Sequence, residues 1–381
     1  MNSYIVKNGQ KLKKGYTTGS TATGAAKAAA RALFTGNKSK EVEIDTPAGV
    51  RLNLAVEKYE VEQEGESVRA AVRKDGGDDP DITDGILIWA RVKELSSVSQ
   101  TEVSEEEKRI IICGGPGVGT VTRPGLQLDV GCAAVNPVPR EMIKKEVGKV
   151  LPEGKKVQVT LTIPRGEELA PQTMNPDLGI KGGLSILGTT GIVEPMSHEA
   201  IKSSQALELK QVVAQEKVEQ LVLVFGNYGQ KKAAQLGFAD QKTVKMSNYV
   251  GFMLDQCVQQ GIKEVIIVGH IGKLIKVAGG IFNTHSNVAD ARMEIMAARA
   301  AAAGASRDLV VEILEATTTE AALQLLKKAD LLEIFPVLAR EVAHRAQKHV
   351  QDQLQVKTIL YSMEEGILAS YGLKGEVLLD E

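Results

Sequence analysis

Leu221-Val222-Leu223-Val224-Phe225-Gly226-Asn227-Tyr228-Gly229 is the stretch on which the fold turns. Five apolar residues in succession, closed by a glycine loop, have the length and character of a strand buried on both faces. The same pattern returns at Val265-Ile266-Ile267-Val268-Gly269-His270. Between them Val250, Met253, Leu254 and Cys257 share one helical face, with Ser247 expected as N-cap and Gly261 as the stop. Strand, glycine loop and helix, repeated, predict an α/β doubly wound domain over residues 193–381. Asn287 to Ala303 reads as a long alanine-rich helix, with Asp290 in its first turn and Gly304 at its end. After Ser306 come two or three polar amphipathic helices and a short strand, Val356 to Tyr361, expected to pack around that domain.

Residues 1–192 have a different texture. Ala22, Ala25, Ala26, Ala29 and Leu33 form a helical stripe that Gly36 ends. Alternating segments follow at Arg51 to Val56, Val68 to Val72, Ile86 to Val92 and Val157 to Ile163. One further helix, starting near Pro139 and running through Val147 to Leu151, interrupts them. Strands outnumber helices, so the expectation is an α+β domain with a mainly antiparallel sheet.

Composition narrows the function. A chain of 381 residues favours two cores. A net charge of −2 and 4% aromatic residues argue against a nucleic-acid binder, which needs a basic stripe or a stacking platform. Cys113, Cys132 and Cys257 are too few and too scattered for a disulfide framework or a structural metal site. The lysine-rich start has no apolar segment of signal-peptide type, and no run has membrane length. A cytoplasmic protein without nucleic-acid or membrane partners is expected.

Four glycine-rich loops are candidate binding elements. Thr17 and Thr18 open the first helix, where free N–H groups and hydroxyls attract anions. Gly114 to Gly119 follows a strand at Arg109 to Ile112, and Gly117 and Gly119 are expected to let backbone approach a ligand. Arg123 and Arg140 lie downstream as anion partners. Gly226, Asn227, Tyr228, Gly229 and Gly269 sit at the carboxyl ends of the buried strands, where open α/β sheets bind ligands. The segment from Gly269 to Ser286 adds Lys273 and Lys276 for a polycarboxylate, and His270 and His285 as candidate proton acceptors. The acidic run Asp75 to Gly85 lacks EF-hand spacing and reads as a solvated turn, so no resident metal is expected.

In order along nearly the whole chain, these blocks resemble the CbiD family, carbon-1 methyltransferases of anaerobic cobalamin biosynthesis. The carriers are Gly15-Tyr16-Thr17-Thr18-Gly19, Asp78-Asp79-Pro80-Asp81, the Gly114 to Arg140 segment, Gly188 to Ser197, Gly226 to Gly229, and Ser247 to Arg292. Thr21 stands where cysteine is common in the family, and Asp84 where histidine is common. The resemblance implies a methyl group passed from S-adenosylmethionine to carbon 1 of cobalt-precorrin-5B, giving cobalt-precorrin-6A. It implies cobalt carried by the corrinoid substrate, and a first domain like ribosomal S5 domain 2. Methyl transfer is an in-line displacement that rewards alignment. A donor that loses its sulfonium charge in the transition state gains nothing from a neighbouring anion. Two other readings stay open from the residues: a corrinoid-binding carrier, and a kinase-like phosphate binder using Gly114 to Gly119. A homo-oligomer or passing contacts with enzymes of the same pathway are also open.

Overall fold

Alanine sets the first layer. Helix α1 (Thr18–Thr35) buries Ala22, Ala25, Ala26, Ala28, Ala29 and Ala30 completely, so it lies close on the sheet beneath it. Thr17 caps its start by accepting the Ser20 N–H, and Gly36 ends it with φ +70°. The structure, a computed structural model, describes residues 4–7, 9–62, 66–95, 109–215, 218–238 and 242–373. The chain divides into two units, Met1–His198 and Glu199–Glu381, and its class is mixed α/β.

In the first unit β1 (Glu41–Asp45), β2 (Arg51–Glu62), β3 (Ser67–Arg73), β4 (Leu87–Glu94), β5 (Ile110–Gly114) and β6 (Val157–Thr162) form one sheet in the order β1-β2-β3-β4-β6-β5. Neighbours run antiparallel except β6 and β5, which are parallel and joined through α2 (Pro137–Gly148). That crossover follows from geometry, since parallel neighbours cannot be linked by a tight turn. The expected helix near Pro139 is this one, entered at Pro137, with proline in its first turn where no N–H is missed. Val157, Val159 and Leu161 face the core, and the residues between them stay half-exposed, which is the alternation the sequence shows.

Glu146 of α2 has no exposed side-chain surface, yet two lysines pair with it. Lys27 of α1 reaches it at 2.7 Å and Lys149 at 2.5 Å, and the Asp45 N–H adds a bond at 3.3 Å. Burial pushes its pKa up, but the hydrogen bonds from Lys149 and Lys27 outweigh that and hold it below the ordinary value of 4.5. Asp45 is drawn down to about 2 by Lys149 and Arg51. A depressed carboxylate stabilises the fold above its unfolded pKa and loses that contribution as pH falls through the folded one. Resistance of the first unit to urea should therefore weaken as pH falls from 4.5 toward about 2. Glu146→Ala should cost about 3 kcal/mol at neutral pH, the low end for breaking a buried pair, because Lys149 keeps 39% of its side chain exposed. An acid-insensitive midpoint, or an alanine variant of wild-type stability, would contradict this account.

The second unit opens inside α3 (His198–Gln215), then alternates β7 (Gln220–Val224), α4 (Asn227–Gln235), β8 (Thr243–Lys245), α5 (Val250–Gln259), β9 (Glu264–His270) and α6 (Ile271–Ala278). Four helices follow: α7 (Arg292–Ala302), α8 (Arg307–Glu315), α9 (Thr319–Lys328) and α10 (Ile334–His349). Last come β10 (Gln355–Ser362) and β11 (Gly366–Tyr371). The sheet order is β8-β7-β9-β10-β11, parallel except at the β11 edge. Leu221, Leu223, Val265 and Ile267 point into the large core, whereas Val222, Val224, Ile266 and Val268 point into a smaller one on the opposite face. Burial on both faces is why these strands are continuous apolar runs.

Three expectations need correcting. The segment Val356 to Tyr361 does not pack around the domain; it lies within β10, an inner strand of the sheet between β9 and β11. The helix expected from Asn287 begins only at Arg292. The buried Lys276 ammonium takes the carbonyls of Thr284 (3.1 Å) and Ala289 (2.8 Å), which ties residues 284–289 as a loop, and Asp290 pairs with Arg292 instead of entering a first turn. Ser247 is not an N-cap: it turns the chain with φ +48°, and α5 starts after Tyr249 with no side-chain cap. Among the described residues no helix is long and apolar enough to cross a membrane.

Candidate functional site

In the first unit Thr17, Thr18, Gly117 and Gly119 are brought together around one segment, residues 183–191. Gly119 donates to Leu184 O at 2.9 Å, Ile186 to Ala134 O at 2.8 Å, and Gly19 to Leu187 O at 2.9 Å. Thr18 Oγ1 accepts the Leu187 N–H at 2.9 Å, and Thr17 donates its N–H to Gly191 O at 3.2 Å. Thr17 and Thr18 are buried, so the N-terminus of α1 spends these polar groups on the protein rather than on an anion. Gly117 and Gly119 are buried too. A Cβ on Gly117 would lie 1.9 Å from Ile163 O, and one on Gly119 would lie 2.4 Å from Ile180 Cγ2. These glycines admit neighbouring protein, not a ligand. Gly115 donates to Leu161 O and Val118 to Gly115 O, so the loop presents no phosphate cradle of the kind a kinase-like reading requires.

Arg140 is likewise occupied, with its guanidinium donating to the carbonyls of Val135 (2.8 Å), Ile112 (3.3 Å) and Ala133 (3.4 Å). Arg123 differs: its stem lies across Gly179 and the side chain is exposed. The acidic run holds its own loop together. Asp84 accepts the Gly76 N–H at 2.7 Å, Asp81 pairs with buried Lys74 at 2.6 Å, and Asp79 accepts the Met196 N–H at 2.8 Å. Thr21 is fully buried and donates to Thr17 O at 2.9 Å. Both departures from the family pattern thus stand at positions with local structural bonds.

In the second unit the strand order reverses at β7, which has β8 on one side and β9 on the other. Open α/β sheets form a crevice beyond the carboxyl ends of two such strands. The loop after β7 passes through Gly226, whose φ of +115° and ψ of −161° suit glycine alone. Nothing lies within 4 Å of where its Cβ would be. Helix α4 then starts without a side-chain cap, and its first turn carries exposed Asn227 and Tyr228, the latter 72% exposed. Gly229 is buried against Val224, which lets α4 sit close on its strand. Gly269 serves packing as well: a Cβ there would lie 2.6 Å from Phe225 and 2.7 Å from Leu274, so it is not open to a cofactor.

The first turn of α6, which follows β9 directly, brings Lys273 to the same rim. Its ammonium hydrogen-bonds Asn248 Oδ1 and lies 5.5 Å from the centre of the Phe225 ring, which places the ends of β7, β8 and β9 around one cation. Burial lowers its pKa, and neighbouring Lys276 adds to the shift. Thr284 donates its hydroxyl to the same Asn248 oxygen at 3.1 Å. Lys276, by contrast, is enclosed, and its bonds to two carbonyls make it a loop tie rather than a partner for substrate carboxylates.

The two candidate histidines differ. His270 Nδ1 accepts the Gly272 N–H at 3.0 Å, capping α6, and Nε2 meets Glu320 Oε1 at 2.7 Å. With both ring nitrogens bonded, it is not a free base. His285 Nδ1 accepts the Asn287 N–H at 3.1 Å inside the loop that Lys276 closes. Glu320 is the functional candidate that the sequence reading missed; it lies fifty positions from His270 on a helix that periodicity marks as ordinary surface.

The family described as CbiD matches residues 5–195, and the one described as CbiD, C-terminal domain, matches residues 283–372. A protein of Alkaliphilus metalliredigens named cobalt-precorrin-5B C(1)-methyltransferase is 47% identical over 379 residues, covering 99% of this chain and 97% of its own length. Bearing the same name, a protein of Thermoanaerobacter sp. is 47% identical over 378 residues (99% and 100%), and one of Moorella thermoacetica 44% over 373 (97% and 98%). A crystal structure described as a cobalamin biosynthesis protein (cbiD) from Archaeoglobus fulgidus is 29% identical and covers 77% of this chain and 88% of that one, with a TM-score of 0.39. The chain belongs to the CbiD family.

Proposed function

We propose that this protein methylates carbon 1 of cobalt-precorrin-5B, giving cobalt-precorrin-6A, with S-adenosylmethionine as methyl donor. The observation that carries the reading is 47% identity across 379 residues to a protein of that name. We also infer that the second unit is doubly wound, which its β8-β7-β9-β10-β11 order supports, and that the first resembles ribosomal S5 domain 2. The enzyme would work in the cytoplasm on a corrinoid that brings its own cobalt.

The donor is best placed at the β7–β9 rim. Gly226 leaves space where a side chain would stand, and the uncapped start of α4 offers backbone N–H groups. Lys273 gives that rim a cation for a carboxylate, and Asn227 and Asn248 give neutral hydrogen-bonding groups. Bound there, the donor would supply an electrophilic methyl group. The Glu320 carboxylate is already spent on three protein donors, so it adds no free anion beside a sulfonium. Exposed Arg123 is the first-unit cation best suited to a substrate carboxylate.

The test is an assay of purified protein with cobalt-precorrin-5B and methyl-labelled S-adenosylmethionine. Label at carbon 1 of the product is the expected result. Binding of S-adenosylhomocysteine should be seen by calorimetry. A protein that binds ATP and not S-adenosylhomocysteine would overturn the reading.

A further inference from the structure

We propose that Glu320 is a positioning residue: it fixes the tautomer of His270 and so holds the start of α6, and with it Lys273, against the rim. The ligand half of this inference rests on the donor placement proposed above, whereas the tautomer half does not.

A ring nitrogen that accepts a hydrogen bond carries no proton, and His270 Nδ1 accepts from Gly272 N at 3.0 Å. The neutral ring must then carry its proton on Nε2, which faces Glu320 Oε1 at 2.7 Å. Glu320, in the first turn of α9, is itself immobilised: Ser362 Oγ donates to Oε2 at 2.7 Å and the Met363 N–H to Oε1 at 3.0 Å. Burial raises its pKa, but these two donors and His270 outweigh that and keep it ionised. His270 and Tyr361 are register partners across β9 and β10, so one carboxylate ties together the ends of adjacent strands and the helix that follows.

From that clamp α6 runs with Ile271, Leu274 and Ile275 in the core. Lys273 therefore has its direction set by the same first turn. A carboxylate holding a histidine whose other nitrogen does the visible work is a recurring way to fix orientation. Losing Glu320 would free the ring to exchange tautomers, and an Nδ1–H form would withdraw the cap from Gly272.

The experiment uses the full chain labelled with 15N at histidine, with His270→Asn to assign the signal. In the wild type His270 should show the Nε2–H tautomer, and Glu320→Ala should mix the forms. Glu320→Ala should weaken S-adenosylhomocysteine binding roughly tenfold, as expected for directly coupled groups, and Glu320→Gln, whose amide oxygen still accepts from His270, should stay close to wild type. In a Lys273→Ala background the added Glu320→Ala change should have no further effect. Where Glu320→Ala does not fold, Glu320→Asp carries the same cycle, because the shorter acid cannot hold Ser362 and His270 together. An Nδ1–H ring in the wild type, or equal weakening with and without Lys273, would overturn the proposal. Wild-type protein that binds no S-adenosylhomocysteine would overturn the ligand half along with the donor placement, while the tautomer readout still decides the rest.

Discussion

Gly117→Ala is expected to keep the first unit from reaching its native fold, with a loss of more than about 4 kcal/mol. The added methyl would stand 1.9 Å from Ile163 O and 2.9 Å from Ile163 C, both backbone atoms. That carbonyl cannot step aside, since it already accepts the Gly166 N–H at 2.8 Å while the Ile163 N–H is bound to Pro116 O at 3.0 Å. A φ of +75° adds strain of its own for an alanine. Circular dichroism and urea unfolding of the purified variant would show the loss. A soluble Gly117→Ala protein of wild-type stability would mean that the loop is open enough for a ligand after all.

Gly226→Val should give the opposite phenotype. Beyond its chain neighbours nothing lies within 4 Å of where its Cβ would stand, so the new side chain starts in open space. Its cost is conformational: φ +115° with ψ −161° lies in a region that side chains avoid, worth about 1–3 kcal/mol. The fold should survive with that modest loss, whereas calorimetry should find no binding of S-adenosylhomocysteine. Two things remove it: the isopropyl group fills the rim, and any relaxation of φ tilts the first turn of α4. Unchanged affinity would move the donor elsewhere, and Arg123 on the first unit would then mark the next place to look.

The contrast between these glycines shows what could be read before the structure. Gly117 and Gly226 both follow buried strands in glycine-rich loops, and on that ground the sequence points both toward ligands. A glycine signals that something comes close, but composition does not say whether the visitor is a ligand or another part of the chain. At Gly117 it is Ile163, forty-six positions away, and at Gly269 it is Phe225. Lys276 and Arg140 repeat the lesson for cations: each finds carbonyls that no spacing rule places beside it.

Periodicity and chain order by themselves determined the elements with local causes. The alanine stripe of α1, its Gly36 stop, the alternation of β6 and the continuous runs of β7 and β9 each follow from which faces are buried. The blocks shared with the CbiD family were equally visible as written. Tertiary structure alone decided that β10 enters the sheet, that Lys276 delays α7 to Arg292, and that Glu320 meets His270. The physical reason is common to all three. Each depends on a hydrogen-bonding group finding its partner across the fold, and such pairing leaves no period in the sequence.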